Sequence, residues 1–91
     1  MEYDIADNPA EQRFELKAEG KMAYSTYRLA DGRITFLHTE VPKELEGRGI
    51  GSALAKHVLE EARRRNLKVV ASCPFIKAYI GKHLEYQGLL A

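Results

Sequence analysis

The chain has 91 residues, 14 basic and 13 acidic side chains, a formal charge of +1 and a pI near 7.9. That balance gives no footprint for nucleic acid and no trap for acidic substrates, and the length makes one domain over 1–91, small but able to bury a core. With 45% hydrophobic and 30% charged residues it reads as a soluble globular protein rather than a disordered one. No apolar run reaches the ~20 residues of a membrane helix. The start, Met1-Glu2-Tyr3-Asp4, lacks the regions of a signal peptide. A single cysteine suits a reducing compartment, so the expected location is cytoplasmic.

In chain order, a short strand at Tyr3-Asp4-Ile5 and a turn at Asp7-Asn8-Pro9 come first. Arg13 to Glu19 alternates, with Phe14, Leu16 and Ala18 on one face, as a half-buried strand does. Gly20-Lys21 connects to a second strand, Met22 to Leu29, rich in residues that suit a pleated surface. Asp31-Gly32 is a hairpin turn signal, and Arg33 to Val41 returns as a third strand of an antiparallel meander. Pro42 ends it. Ile50, Leu54, Ala55, Val58, Leu59 and Ala62 then recur at helical spacing as one apolar stripe. Arg63-Arg64-Arg65 reads as a solvated last turn complementing the helix dipole, with a cofactor phosphate as the alternative contact. Asn66 stops the helix. Leu67 to Ser72 is apolar enough for a central strand. A second helix runs from about Phe75 to Lys82 with Pro74 at its first position, and the tail to Ala91 packs irregularly or as a short edge strand. The class is α+β, in layers, with helices covering a sheet.

The stretch between the third strand and the long helix is the most informative. Gly47-Arg48-Gly49-Ile50-Gly51-Ser52 places three glycines in five residues just before a helix. Glycine permits positive φ and close approach of a ligand to the backbone, and the first helical turn leaves N–H groups without partners. Together these make an anion cradle. A Walker loop is excluded, because Ser52 follows Gly51 with no lysine between them. A dinucleotide loop needs Gly-x-G-x-x-Gly spacing, and here the glycines are spaced Gly-x-Gly-x-Gly.

The same stretch, after Val41-Pro42 and leading into Ala53-Leu54, resembles motif A of the GNAT superfamily of acetyl-CoA-dependent acetyltransferases. Gly49 and Gly51 map onto its glycines, and Glu46 stands where the family usually carries arginine or glutamine. The resemblance runs from Phe14 to Lys82 and implies a truncated GNAT-like fold: an antiparallel meander, then strand, loop, helix, strand, helix. Cys73-Pro74-Phe75, with Tyr79, His83, Glu85 and Tyr86, resembles the small single-domain branch of about this length. It implies an N-acetyltransferase using acetyl-CoA as cosubstrate and an amine acceptor, small molecule or protein. The amides of Gly47, Arg48, Gly49, Ile50, Gly51 and Ser52 would hold the pyrophosphate, and strand amides near Thr39 or Val41 the pantetheine arm.

For the chemistry, Cys73 lies between an apolar strand and a helix start, where the dipole favours thiolate. It would accept the acetyl group or protonate the leaving thiolate; a small buried strand-end residue is the alternative. His38 is the candidate base on the third strand, placed by alternation with Ile34, Phe36 and Glu40, and Glu40 is the runner-up. By resemblance Tyr79 is a second candidate to protonate the thiolate, against a plain core tyrosine. His57 and His83 read as structural, and with three scattered histidines there is no metal-ligand spacing. The alternative function is a non-catalytic acyl-CoA-binding or protein-interaction module. Set beside the family, 91 residues are too few for its usual N-terminal helices and full C-terminal hairpin, and the expectation is an open edge for a large or peptidic acceptor, or for a homodimer.

Overall fold

The computed structural model describes residues 3–91. Met1 and Glu2, part of the start read above as lacking a signal peptide, lie outside the described residues. Five strands form one sheet in the order of the chain: β1 Ile5–Asn8, β2 Arg13–Ala18, β3 Lys21–Ala30, β4 Arg33–Glu40 and β5 Lys68–Ala71. The first four are antiparallel, and β5 pairs parallel to β4. Helix α1 (Ile50–Arg64) crosses between β4 and β5, and α2 (Pro74–Lys82) follows β5. Short 3-10 helices lie at Lys43–Leu45 and Leu84–Leu89.

The hairpins close as their sequences dictate. Asp31 and Gly32 both take positive φ, as a two-residue turn matched to the strand twist requires. The stripe on α1 is buried at all six expected positions and packs over Phe14, Leu16, Ala23, Tyr27, Ile34 and Phe36. Asn66, at φ 56°, ends the helix: its N–H donates to the Arg63 carbonyl and that of Leu67 to the Ala62 carbonyl, a Schellman closure. Burying each such side chain contributes roughly 1.5–3 kcal/mol. The core therefore lies between one face of the sheet and the helices.

Four expectations are corrected. The first strand begins at Ile5 and runs to Asn8, so Asp7 and Asn8 are paired rather than turning. Asp7 is held there by the Tyr27 hydroxyl and by Arg65, 2.8 Å away. Arg63 and Arg64 stay exposed in the last turn as read, paired to Glu60 and Glu61, but Arg65 is half-buried between Asp7 and Glu61, and none of the three is placed for a cofactor phosphate. They sit at the end of α1 away from the glycine loop, about 22 Å along a 15-residue helix, too far to touch a phosphate held there. β5 lies at the sheet edge, not its centre; it is apolar because Val69 is buried under the helices, while its outer side meets the chain through one bridge to Leu90.

The fourth correction concerns β4. Thr26 pairs with His38 and Tyr27 with Phe36, so Leu37 is an extra residue and the strand bulges there. Ile34 and Phe36 face the helices, but beyond the bulge the alternation is inverted. Thr39 points to the helix side, and His38 and Glu40 share the opposite face, away from Ile34 and Phe36. The bulge also ends pairing with β5, whose last register pair is Phe36 with Ala71. From there the two parallel strands part.

Candidate active site

Because β4 and β5 are parallel and each is followed by a helix, α1 and α2 both begin at the end where the strands part. A crevice outside the carboxyl ends of such strands is where open sheets bind ligands. Here it is a cavity of about 490 Å³, walled by the end of β4 (Thr39, Glu40) and Val41 just beyond it, by Leu45 and Glu46, by the glycine loop, and by Phe75. Gly47, Gly49, Ile50, Gly51 and Ser52 all line it.

The loop glycines work in two ways. Gly47 and Gly49 have φ of 80° and 73°, and an added Cβ on either would project into open space. They are glycines because the backbone needs the left-handed region. Gly49 occupies the N-cap of α1 and no side chain bonds to the first-turn amides. The first bond into this turn, from the Ala53 N–H to the Gly49 carbonyl, leaves the donors of Ile50, Gly51 and Ser52 unused at the cavity wall. Gly51 is helical, and a Cβ there would lie 2.9 Å from Cζ of Phe75. Its absent side chain makes room for the phenyl ring, which closes one side of the cavity and stays 41% exposed.

The wall is mixed in character. Val41, Leu45, Ile50 and Phe75 supply apolar surface, and Glu40 and Glu46 supply carboxylates. The Arg48 side chain is drawn to Glu19 in the β2–β3 turn, so at this position only the backbone faces the loop's task. The Tyr3 hydroxyl donates to the Arg48 carbonyl at 3.2 Å and ties the loop to the N-terminal segment.

Of the four candidate catalytic residues, Thr39's neighbour Cys73 lies just behind the wall. It caps α2, is 2% exposed, and its Sγ donates to the Thr39 Oγ1 at 3.3 Å. That hydroxyl donates in turn to Ser25 on β3 at 3.2 Å, a serine buried completely. His38 and Glu40 stand together on the far side of β4, Nε2 to Oε1 at 2.9 Å, with Tyr24 beside the imidazole. Glu40 also lines the cavity and so links the two sides of the strand. Tyr79 is not part of the cavity wall. Its ring stacks on His83 at 3.9 Å, and burial, with the charges of Glu85 and Glu60, pushes its phenol pKa up. His57 packs edge-on against Phe14, and His83 Nδ1 bonds the Tyr79 carbonyl at 2.9 Å. No metal-binding cluster occurs among the described residues, and no described helix is long and apolar enough to cross a membrane.

Three residues at the site escaped the sequence reading: Phe75 and Leu45 in the wall, and Ser25, buried behind it and bonded by the Thr39 hydroxyl. Phe75 had a signal, an aromatic directly after a proline at a helix start. Ser25 had one too, a hydroxyl at an inward position between Ala23 and Tyr27.

With this geometry in hand, the comparisons are decisive at the family level. The model of the GCN5-related N-acetyltransferase family matches residues 13–89. A solution structure from Staphylococcus aureus, assigned as a GCN5-like N-acetyltransferase, is 38% identical with a TM-score of 0.74, covering 97% of this chain and 87% of that one. No curated protein sequence matches. The chain belongs to the GCN5-related N-acetyltransferase family, has its mixed five-stranded α+β fold, and is an acetyltransferase.

Proposed function

We propose that the chain transfers an acetyl group from acetyl-CoA to an amine across the gap between β4 and β5. The observation that carries this reading is the uncapped N-terminus of α1, where two left-handed glycines and three unused amides open onto the cavity. Those donors suit a pyrophosphate. The parted edge of β4 at Thr39 and Val41 suits an extended amide arm, and Val41, Leu45, Ile50 and Phe75 suit its apolar stretches. Bound there, acetyl-CoA supplies an activated thioester.

The chain's own residues then divide the proton work. With Nε2–H of His38 donating to the Glu40 carboxylate, Nδ1 is left to take a proton from the incoming ammonium. That nitrogen stands on the open face of the sheet, so the amine arrives from the side opposite the glycine loop. Cys73 and Thr39 form the second proton-holding pair, behind the cavity wall. Tyr79, stacked away from the cavity, serves packing in this reading. A calorimetric titration with acetyl-CoA, and with CoA beside it, tests the site. One-site saturable binding that Gly49→Arg abolishes is expected, and an unchanged affinity in that variant would sink the cradle assignment. Cys73→Ala should bind the cofactor and lose turnover.

A further inference from the structure

The helices cover one face of the sheet and leave the other to solvent. On that open face the register aligns side chains in rows across the strands. Glu15, Tyr24 and Glu40 form the first row, at the end where β4 leaves β5, and Arg13, Thr26 and His38 the second. Arg28, Thr35 and Val70 form the third, and Arg33 with Lys68 the fourth, at the β3–β4 hairpin end. The charges are segregated along this axis. Arg13 and Glu15 neutralise one another at 2.7 Å, and Lys17, one row further out, lies beside Asp4, so the first end is left with the Glu40 carboxylate and its partner His38. Arg28, Arg33 and Lys68 are exposed and make no ion pair among the described residues, Lys68 reaching only the Gly88 carbonyl, at 3.5 Å. The near-neutral total of the chain conceals this polarity.

We infer that the open face docks the acceptor as an extended acidic polypeptide, with its reacting amine at the Glu40–His38 end and its carboxylates on Arg28, Arg33 and Lys68. This rests on the reading above for where the amine reacts, and it names the class of acceptor. An ammonium is attracted to the carboxylate end and repelled by the arginines; a run of glutamates or aspartates has the opposite preference, so the polarity fixes how such a chain lies. Counted along β3, which carries no extra residue, the His38 row lies two positions from the Arg28 row and four from the Arg33 row, roughly 7 and 13 Å at about 3.3 Å per extended residue. The carboxylates therefore fall two to four positions from the lysine or terminal amine. Thr26 and Thr35 offer hydroxyls along the track and Tyr24 an aromatic wall. Nucleic acid fits worse, because the Glu40 carboxylate lies on the same face and repels a uniformly anionic backbone.

The test is fluorescence anisotropy with labelled peptides. Each carries one lysine and three glutamates two to four positions away, on the N-terminal or the C-terminal side, beside a glutamine-substituted control. The wild-type protein should bind an acidic peptide with an affinity that falls as salt rises. Arg28→Glu with Arg33→Glu should weaken it at least tenfold, while Lys17→Gln, on the same face but flanked by Asp4 and Glu15, should not. Equal affinity for the glutamine control, full binding by the double variant, or tighter binding of single-stranded DNA would overturn the proposal. Acetyl-CoA affinity, measured by calorimetry on the same variants, should not change. If acetyl-CoA fails to bind while peptide binding stays charge-dependent, the cofactor site is wrong and the docking face stands.

Discussion

Replacing each glycine of the loop by alanine separates two physical roles that look alike in the sequence. At Gly51 a methyl group would approach Cζ of Phe75 to 2.9 Å, whereas carbon atoms rest at about 3.5–4.0 Å. The ring tip must therefore retreat by roughly 0.6–1 Å. Overpacking of a closed core costs about 1–3 kcal/mol, but this ring is 41% exposed and can swing into the cavity. Alanine in a helix also regains about 0.5–1 kcal/mol over glycine. The two terms nearly cancel, so Gly51→Ala should change stability by less than about 1 kcal/mol while weakening cofactor binding, because the ring moves into the site. Gly49→Ala meets no atom, yet its φ of 73° should cost about 1–2 kcal/mol with nothing to offset it. Urea melts of the two variants, with acetyl-CoA titrations beside them, measure both effects. A loss above about 3 kcal/mol in Gly51→Ala, or a Gly49→Ala variant as stable as the parent, would refute the reasoning.

Three further outcomes are expected. Hydrogen bonding from Arg64, with further help from Arg65, lowers the Glu61 pKa from 4.5 to about 2, so its contribution to stability is full above pH 4.5 and is lost as pH falls toward 2; Glu61→Gln should flatten that limb of an acid melt. Burial first, and the bond to Asp7 second, push Tyr27 up to about 12, so its contribution holds below pH 10 and is lost as pH rises through 12. Tyr27→Phe should remove that alkaline loss and cost about 1–2 kcal/mol at neutral pH in a denaturant melt. Glu46→Gln should tighten acetyl-CoA binding, most at low ionic strength, since an exposed carboxylate in the wall repels the pyrophosphate; an affinity that does not move with the substitution would place Glu46 outside the site's field.

The parts of the fold that local chemistry decides were legible. Period and turn chemistry need no partner, so the α1 stripe, the alternation of β2 and the Asp31-Gly32 turn follow from neighbouring residues alone. The glycine loop belongs with them, because an uncapped helix start after two left-handed residues is a local feature. What was not legible depends on distant partners. Nothing in Thr35-Phe36-Leu37-His38 marks Leu37 as the extra residue; the register with Thr26 and Tyr27 does, and it turns His38 to the other face. An apolar run reads the same whether a strand is central or lies at an edge under a helix, which misplaced β5. Gly51 read as room for a ligand because its partner, Phe75, sits on another helix. Arg65 read as solvated because Asp7 lies at the far end of the chain.

The most direct test of the account is an amide-shift titration of the nitrogen-15-labelled protein with CoA, followed by NMR. Saturable shifts concentrated at Gly47 to Ser52, with weaker ones at Thr39, Val41 and Phe75, are predicted. No shift at millimolar CoA, or shifts confined to residues outside that wall, would contradict the assignment of the glycine loop as the cofactor cradle.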